Sequence, residues 1–143
     1  MEKWDVYDRQ GNLTGRTKTR EDTLLDGEYH LGVSLWIINS EGKLLIQKRA
    51  ACKRIHPNKW SITSGAVLSG ETSTEGCVRE VGEEIGLHLQ QCDIALLSRS
   101  IGKDCIFDEY AVIRDFPIEA ALLQPEEVSD IKWATLQQIR ELF

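Results

Sequence analysis

The stretch that decides the fold spans residues 65–87 and reads GAVLSGETSTEGCVREVGEEIGL. Thr72 is followed three positions later by Glu75, which is the pattern of a capping box, so a helix is expected to begin at this threonine. Gly86 stands where a helix commonly ends in a left-handed cap. The sequence therefore predicts a helix over residues 72–85, preceded by a glycine-flanked loop.

Two neighbouring faces of this predicted helix differ in chemistry. At about 100° of rotation per residue, one arc of roughly 100° is apolar and is expected to face the core. Its members are Cys77, Val78, Val81 and Ile85. The next arc carries the glutamates Glu80, Glu83 and Glu84. The helix is therefore amphipathic, with a compact acidic cluster beside its buried stripe.

This acidic cluster is unfavourable for the helix that carries it. Like charges one turn apart cost about 0.2–0.5 kcal/mol per pair, and anions near a C-terminus oppose the helix dipole. Gly82 costs about 1 kcal/mol more relative to alanine. A divalent cation among the carboxylates would offset the repulsion, and oxygen ligands suit Mg²⁺ or Mn²⁺. The alternative is a solvated acidic face on which Arg79 pairs with Glu83.

The whole stretch resembles a known motif, the Nudix box, G-x5-E-x7-R-E-U-x-E-E-x-G-U, in which U is apolar. Every defined position matches, and the matching residues are Gly65, Glu71, Arg79, Glu80, Val81, Glu83, Glu84, Gly86 and Leu87. The chain therefore resembles the Nudix hydrolases. The resemblance implies an enzyme that uses Mg²⁺ or Mn²⁺ to hydrolyse the diphosphate linkage between a nucleoside and another group.

The resemblance also implies roles for the box residues. Glu80 and Glu84 would be the main metal ligands, and the backbone carbonyl of Gly65 would complete the metal shell. Glu83 would be a further ligand or the base that accepts a proton from the attacking water. Arg79 would hold the carboxylates in place through ion pairs.

Further candidates lie outside the acidic helix. The resemblance also implies that Glu71 braces the loop against the helix. Glu126 and Glu127, in the loop before the last predicted strand, are alternatives to Glu83 as the base, and the sequence does not choose among the three.

Three residues are candidate substrate contacts. Lys48 and Arg49 end a predicted strand that should approach the site, where cations would pair with the substrate phosphates. Trp60, just before the box, could stack on a base. The structural alternatives are solvated edge residues for the two cations and core packing for the indole.

The rest of the sequence predicts an α/β fold, a Nudix-type α/β/α sandwich with a central mixed sheet, preceded by an N-terminal β-hairpin. We expect a single domain over residues 1–143, with a hairpin and lead-in over 1–27 and a Nudix core over 28–143. The predicted strands of the core are Tyr29–Ile38, Leu44–Arg49, Trp60–Thr63, Ile94–Ser98, Ile106–Asp115 and Val128–Trp133, and a final helix is predicted over Leu136–Phe143.

The composition of the chain limits the classes of partner that are expected. A net charge of −6 and a pI near 5.1 argue against nucleic acid as a partner. Apolar runs such as residues 35–38 do not exceed four residues, too few to cross a bilayer, and the N-terminus lacks an apolar signal core. We therefore expect a cytoplasmic protein that acts on a small-molecule diphosphate, with no membrane partner. A homodimer is possible, since Trp4 and Tyr7 in the hairpin would either contact a second copy or cover the sheet.

The four cysteines lack metal-site or redox spacing, and each is expected to be a small buried residue with a reduced thiol.

Two alternatives to the hydrolase remain open. Segments 29–31, 44–50 and 59–60 resemble the isopentenyl-diphosphate isomerases and the hydrolases similar to them. Those isomerases carry a catalytic cysteine and a metal-binding histidine after the tryptophan, where this chain has SITSGA over residues 61–66. The sequence therefore favours an isomerase-like hydrolase over an isomerase. The other alternative is a non-catalytic Nudix-fold sensor, but such modules commonly lose box glutamates.

Overall fold

The computed structural model describes residues 2–142. Its elements in chain order are β1 (Lys3–Tyr7), β2 (Leu13–Thr19), β3 (His30–Ile38), β4 (Leu44–Arg49), β5 (Trp60–Ser61), β6 (Thr63–Ala66), α1 (Ser73–Ile85), β7 (Ala95–Ile101), β8 (Cys105–Ile113), β9 (Val128–Ala134) and α2 (Leu136–Leu142). The final helix begins where the sequence predicted, and its last predicted residue, Phe143, lies outside the described residues.

Strand β3 lies inside a seven-stranded sheet. It pairs in parallel with β8 along its whole length, whereas β4 and β6 run antiparallel to it. Strands β5 and β9 pair with β4, and β7 forms an edge beside β8. The parallel pair among antiparallel neighbours confirms the predicted mixed sheet.

Both faces of the sheet are covered by a helix. Alternation along β3 directs Leu35 and Ile37 to the side of α1, where Val81 joins the same core cluster. On the opposite side, Trp36 belongs to a smaller cluster with Ile139 of α2. This arrangement confirms the α/β/α sandwich and explains why the sequence of β3 is apolar on both faces.

Strands β1 and β2 form the predicted N-terminal hairpin as a separate two-stranded sheet. Reciprocal backbone hydrogen bonds of 2.8 and 3.0 Å between Tyr7 and Tyr29 join it to the start of β3. Trp4 is 8% exposed and stacks on His30, with ring centroids 4.4 Å apart. Within one chain, the hairpin thus covers the sheet, which is one of the two roles that the sequence left open for it.

The hairpin also fixes the loop that precedes α1. Asp5 accepts hydrogen bonds from the Ser69 hydroxyl at 2.7 Å and from the Gly70 backbone N–H at 2.9 Å. The Ser69 backbone N–H donates to the carbonyl of Lys3 at 2.8 Å. Residues far apart in the sequence therefore hold the box loop against the first strand.

The structure corrects the predicted strand over residues 60–63 and the predicted loop over 64–71. Two short strands occupy this region, because β5 pairs with β4 whereas β6 pairs with β3. Strand β6 extends to Ala66, so the loop is shorter than predicted. The cause is tertiary: Ser64, Gly65 and Ala66 are small, and they fit between β3 and α1 although their sequence shows no strand pattern.

The cysteines form no disulfide within the described residues. Cys77 is buried, and burial raises the pKa of its thiol to about 12. The prediction of burial is wrong for Cys52 and Cys92, which are exposed. Neither helix of residues 2–142 combines the length and apolar character that crossing a bilayer requires.

Candidate active site

Helix α1 carries the acidic cluster and is fixed at both ends. Thr72 accepts a hydrogen bond from the Glu75 backbone N–H, and the Glu75 carboxylate accepts one from the Thr72 backbone N–H, which confirms the capping box. Gly86 adopts the left-handed conformation with φ of 75° and ends the helix. The helix begins at Ser73, one residue after the cap.

A buried carboxylate on β8 ties the first turn of α1 to the sheet. Asp108 is 1% exposed and accepts a hydrogen bond of 2.7 Å from the Ser73 hydroxyl. Arg99 of β7 donates two hydrogen bonds to the same carboxylate, and Tyr110 donates to the Ser73 hydroxyl. These contacts fix the position of α1 over the sheet, and with it the position of the glutamates.

Arg79 links the acidic residues to the loop. Its guanidinium donates to Glu71 at 2.7 and 3.2 Å, to Glu80 at 3.1 Å and to Glu83 at 3.2 Å. It also donates to the carbonyl of Ala66 at 2.9 Å. One planar cation thus orients three carboxylates and the end of β6, a geometry that a lysine ammonium could not reproduce.

Glu80 and Glu84 lie one helical turn apart on α1. Glu84 is 6% exposed, and 15% of the Glu80 side chain is exposed. Burial raises the pKa of both groups above the ordinary glutamate value, and the proximity of two like charges raises that of Glu84 further. Gln47 of β4 donates a hydrogen bond of 2.8 Å to Glu84 and accepts one from Thr63.

Gly65 lies directly against the Glu80 side chain. A Cβ atom at this position would lie 2.6 Å from Oε2 of Glu80, closer than unbonded heavy atoms approach. The box glycine is therefore required by the close approach of β6 to the Glu80 carboxylate. Gly65 does not have a positive φ, so a left-handed backbone does not account for the glycine at this position.

An open cleft of about 400 Å³ lies over the acidic cluster. Of the predicted site residues, it is lined by Arg49, Gly65, Glu80, Glu83, Glu84 and Glu127. Arg79 lies behind them and contacts two of these glutamates. The predicted box residues and two predicted outside residues therefore meet in one place.

Lys48, Trp60 and Glu126 do not line this cleft. Because side chains alternate along β4, Gln47 points to the acidic cluster whereas Lys48 is directed to the opposite face. Trp60 packs on that opposite face with the smaller core cluster, and the Lys132 ammonium lies 4.4 Å from its ring centroid. Trp60 therefore packs against the core, as in the structural alternative to stacking on a base.

Sequence reasoning did not identify Gln47 and Lys53 as site residues. Gln47 is a buried polar residue, but it begins the polar half of β4, before Lys48 and Arg49, so no sequence pattern set it apart. Lys53 lines the cleft and forms an ion pair of 2.8 Å with Glu127. It comes from the polar loop over residues 51–58, in which no sequence pattern distinguished it.

The charges of this cluster fit a divalent cation. Arg79 is paired with Glu71, Glu80 and Glu83, while Glu84 is bonded to an uncharged amide, so carboxylates exceed the cations that touch them. Across residues 2–142, no point is surrounded by three or more His, Cys, Asp or Glu side chains. Glu80 and Glu84 with a backbone carbonyl could hold such a cation, with Glu83 on the rim, where its side chain is 51% exposed.

Known proteins resemble this chain over most of its length. Residues 28–143 match the family model described as the NUDIX domain. An uncharacterised Nudix hydrolase of Listeria monocytogenes is 34% identical over 143 residues, covering 99% of this chain and 85% of the relative. A crystal structure of a Deinococcus radiodurans protein has a TM-score of 0.79 at 24% identity, covering 96% of this chain and 86% of that one.

The relatives include isomerases as well. An isopentenyl-diphosphate Δ-isomerase of Saccharopolyspora erythraea is 29% identical over 140 residues, covering 94% of this chain and 72% of the relative. This similarity confirms the predicted likeness to the isomerase-like branch. The hydrolase relative is nevertheless more similar, and a Nudix domain accounts for most of the chain. The chain therefore belongs to the Nudix family, as a Nudix pyrophosphohydrolase.

Proposed function

We propose that this protein hydrolyses the diphosphate linkage of a nucleoside-diphosphate-X substrate in the cytoplasm, with Mg²⁺ or Mn²⁺ as cofactor. The observation that carries the proposal is the pair formed by the buried Glu84 and the half-buried Glu80, beside Gly65 in a cleft open to solvent. Two neighbouring carboxylates repel each other when ionised, and a divalent cation would relieve that repulsion.

Different residues of the cleft would bind the cation and the substrate phosphates. Glu80, Glu84 and the Gly65 carbonyl would hold the cation, which when bound neutralises charge on the diphosphate and acidifies water. On the other wall, Arg49 and Lys53 would pair with phosphate oxygens. These contacts would orient the phosphorus for attack by water, whose oxygen forms the new bond as the phosphate-linked group leaves.

The proton of that water needs an acceptor. Glu83 is half-exposed at the rim, where Arg79 pairs with it, and Glu127 faces the cleft in an ion pair with Lys53. We propose that one of these two carboxylates is the base. A general base contributes about 10²- to 10⁴-fold to a rate. Glu83→Gln and Glu127→Gln variants distinguish them, because only the variant that lacks the base should lose this factor from kcat.

A substrate screen with Mg²⁺ and Mn²⁺ tests the proposed function. The panel contains nucleotide sugars, dinucleotides, coenzyme A and damaged nucleotides, together with isopentenyl diphosphate. We expect a nucleoside monophosphate or phosphate to be released from at least one nucleotide, and no allylic isomer to form. Steady isomerisation would instead support an isomerase, and tight binding without turnover would support a sensor.

The matched variants are Glu84→Gln and Glu75→Gln, both on α1. The first should abolish hydrolysis, because it removes a charge from the buried pair. The second should retain it, because Glu75 lies outside the cleft and glutamine also completes a capping box. Equal activity in the two variants would contradict the proposed function.

A further inference from the structure

The cleft continues past the acidic cluster to an aromatic end that the proposed chemistry does not use. Its walls there are formed by Trp4, Arg20, His30, Gly32 and Phe107. Trp4, Arg20 and His30 also line an adjoining cavity of about 390 Å³. The reaction site and this aromatic end are therefore parts of one continuous depression.

The aromatic end is built from flat groups. The indole of Trp4 and the imidazole of His30 lie nearly parallel, at an interplanar angle of 17°. The Arg20 guanidinium carbon lies 5.9 Å from the centroid of the Trp4 ring. Phe107 lies across Gly32, since a Cβ on that glycine would come within 2.9 Å of its ring. The glycine thus leaves room for an aromatic ring at the floor of the cleft.

Two polar atoms at this end lack partners. Trp4 is more than nine-tenths buried, and neither its Nε1 nor the Nδ1 of His30 is hydrogen-bonded within the described residues. An unpaired buried polar group costs about 1–3 kcal/mol, and such groups in a folded protein call for an explanation. Burial lowers the pKa of His30, which favours the uncharged imidazole.

The distance from the acidic cluster fits a nucleotide. Gly65, beside Glu80, pairs with Val33, and His30 lies three residues earlier on the same strand. At about 3.3 Å per residue, the separation along β3 is roughly 10 Å. A sugar and its phosphates can extend over such a separation, with the diphosphate at one end and the base at the other.

We propose that Trp4, His30, Phe107 and Arg20 form the subsite for the nucleobase of the substrate. This inference rests on the proposed function. A planar heterocycle has a π-face for stacking and ring or carbonyl acceptors for the indole N–H, whereas a prenyl chain has neither. The Arg20 guanidinium would cover the exposed face of the base.

Binding of nucleoside monophosphates tests this subsite without catalysis. Calorimetry compares the four common monophosphates with ribose 5-phosphate, which lacks only the base. We expect at least one monophosphate to bind about tenfold or more tightly than ribose 5-phosphate, a difference of about 1.4 kcal/mol. If no monophosphate exceeds ribose 5-phosphate, the inference is overturned, whatever the enzyme hydrolyses.

Three variants locate the binding. Trp4→Phe keeps a ring and removes the N–H, and Arg20→Ala alters an exposed side chain without disturbing the core. Each should weaken monophosphate binding about tenfold and leave ribose 5-phosphate unchanged. Trp60→Phe, the same substitution on the far face of the sheet, should have no effect. Unchanged base preference in both Trp4→Phe and Arg20→Ala would overturn the assignment.

Binding and hydrolysis can fail separately. If monophosphates bind with the expected preference but no nucleoside diphosphate derivative is hydrolysed, the proposed function fails and the subsite stands. If nucleotides are hydrolysed without a base preference that depends on Trp4 and Arg20, the assigned subsite fails and the proposed function stands.

Discussion

At the scale of single residues, Arg79 is the most connected group of the site. Arg79→Lys should lower kcat/KM by about 10- to 100-fold, the usual effect of removing a group that orients metal ligands. One ammonium cannot donate at once to Glu71, Glu80, Glu83 and the Ala66 carbonyl. Steady-state kinetics with a hydrolysed substrate measures the loss.

Arg114→Lys is the matched control, because Arg114 forms a single ion pair of 3.4 Å with Asp93 in a half-exposed setting. Its kinetics should equal those of the unmodified protein. If Arg79→Lys is as active as Arg114→Lys, the hydrogen bonds that the Arg79 guanidinium donates have no part in the reaction.

Individual residues of the box were predictable, but their environment was not. Spacing along one helix placed Glu80, Glu83 and Glu84 on one arc, because helical periodicity is local. Gln47 reaches Glu84 from a strand and Lys53 reaches the cleft from a loop, both distant in sequence from α1, and no local periodicity encodes that meeting. The opposite orientations of Arg49 and Lys48 likewise follow from which face of β4 meets α1.

At the scale of elements, the contact between β6 and α1 controls the geometry of the carboxylates. Gly65→Ala should abolish hydrolysis, because the new methyl group would displace the Glu80 carboxylate. The loss of activity should exceed the loss of stability, since the obstructed atoms belong to one side chain at the edge of the cleft. Hydrolysis assays and urea unfolding of the same preparation give both quantities.

Gly82→Ala is the control on the helix itself. Its Cβ would meet nothing closer than 3.5 Å, and alanine favours a helix by about 1 kcal/mol over glycine. We expect a modest gain in the free energy of unfolding and unchanged kinetics. A fully active Gly65→Ala protein would refute the close approach of β6 to Glu80.

Element prediction succeeded where the pattern was regular. The capping box and the left-handed glycine fixed both ends of α1, and alternation fixed β3 and its two-sided burial. The division between β5 and β6 was missed, because which strand each one pairs with is decided by packing. The small residues of β6 form a strand only beside β3 and beneath the acidic helix.

At the scale of the whole molecule, the acidic pair should make stability depend on pH when metal is withheld. Burial raises the pKa of Glu84 in the folded chain, so the folded state holds a proton that the unfolded state releases. Its contribution is therefore present below the ordinary glutamate pKa of 4.5 and is lost as the pH rises through the higher folded value. The free energy of unfolding should fall over that interval.

Glu84→Gln resembles the protonated form and should not follow this fall. In urea titrations with a chelator, the stability of the variant relative to the unmodified protein should increase as the pH rises from 4.5. Mg²⁺ should reduce the difference, because a ligand that binds the folded state stabilises it. A difference that is constant with pH would show that the carboxyl group titrates normally.

The fold as a whole was accessible from the sequence because a mixed sheet between two helices follows from the strand and helix patterns. The role of the N-terminal hairpin was not. Trp4 was a candidate for contact with a second copy, and its stacking on His30 depends on the pairing of Tyr7 with Tyr29. That pairing joins separate sheets and has no signature in either segment.

We propose above all that Glu80 and Glu84 hold a divalent cation for pyrophosphate hydrolysis. Electron paramagnetic resonance of Mn²⁺, titrated into the protein with a non-hydrolysable diphosphate, measures this directly. We predict that the unmodified protein immobilises Mn²⁺ and that a Glu80→Gln/Glu84→Gln protein, folded by circular dichroism, leaves it free. Equal Mn²⁺ binding by the two proteins would contradict the account.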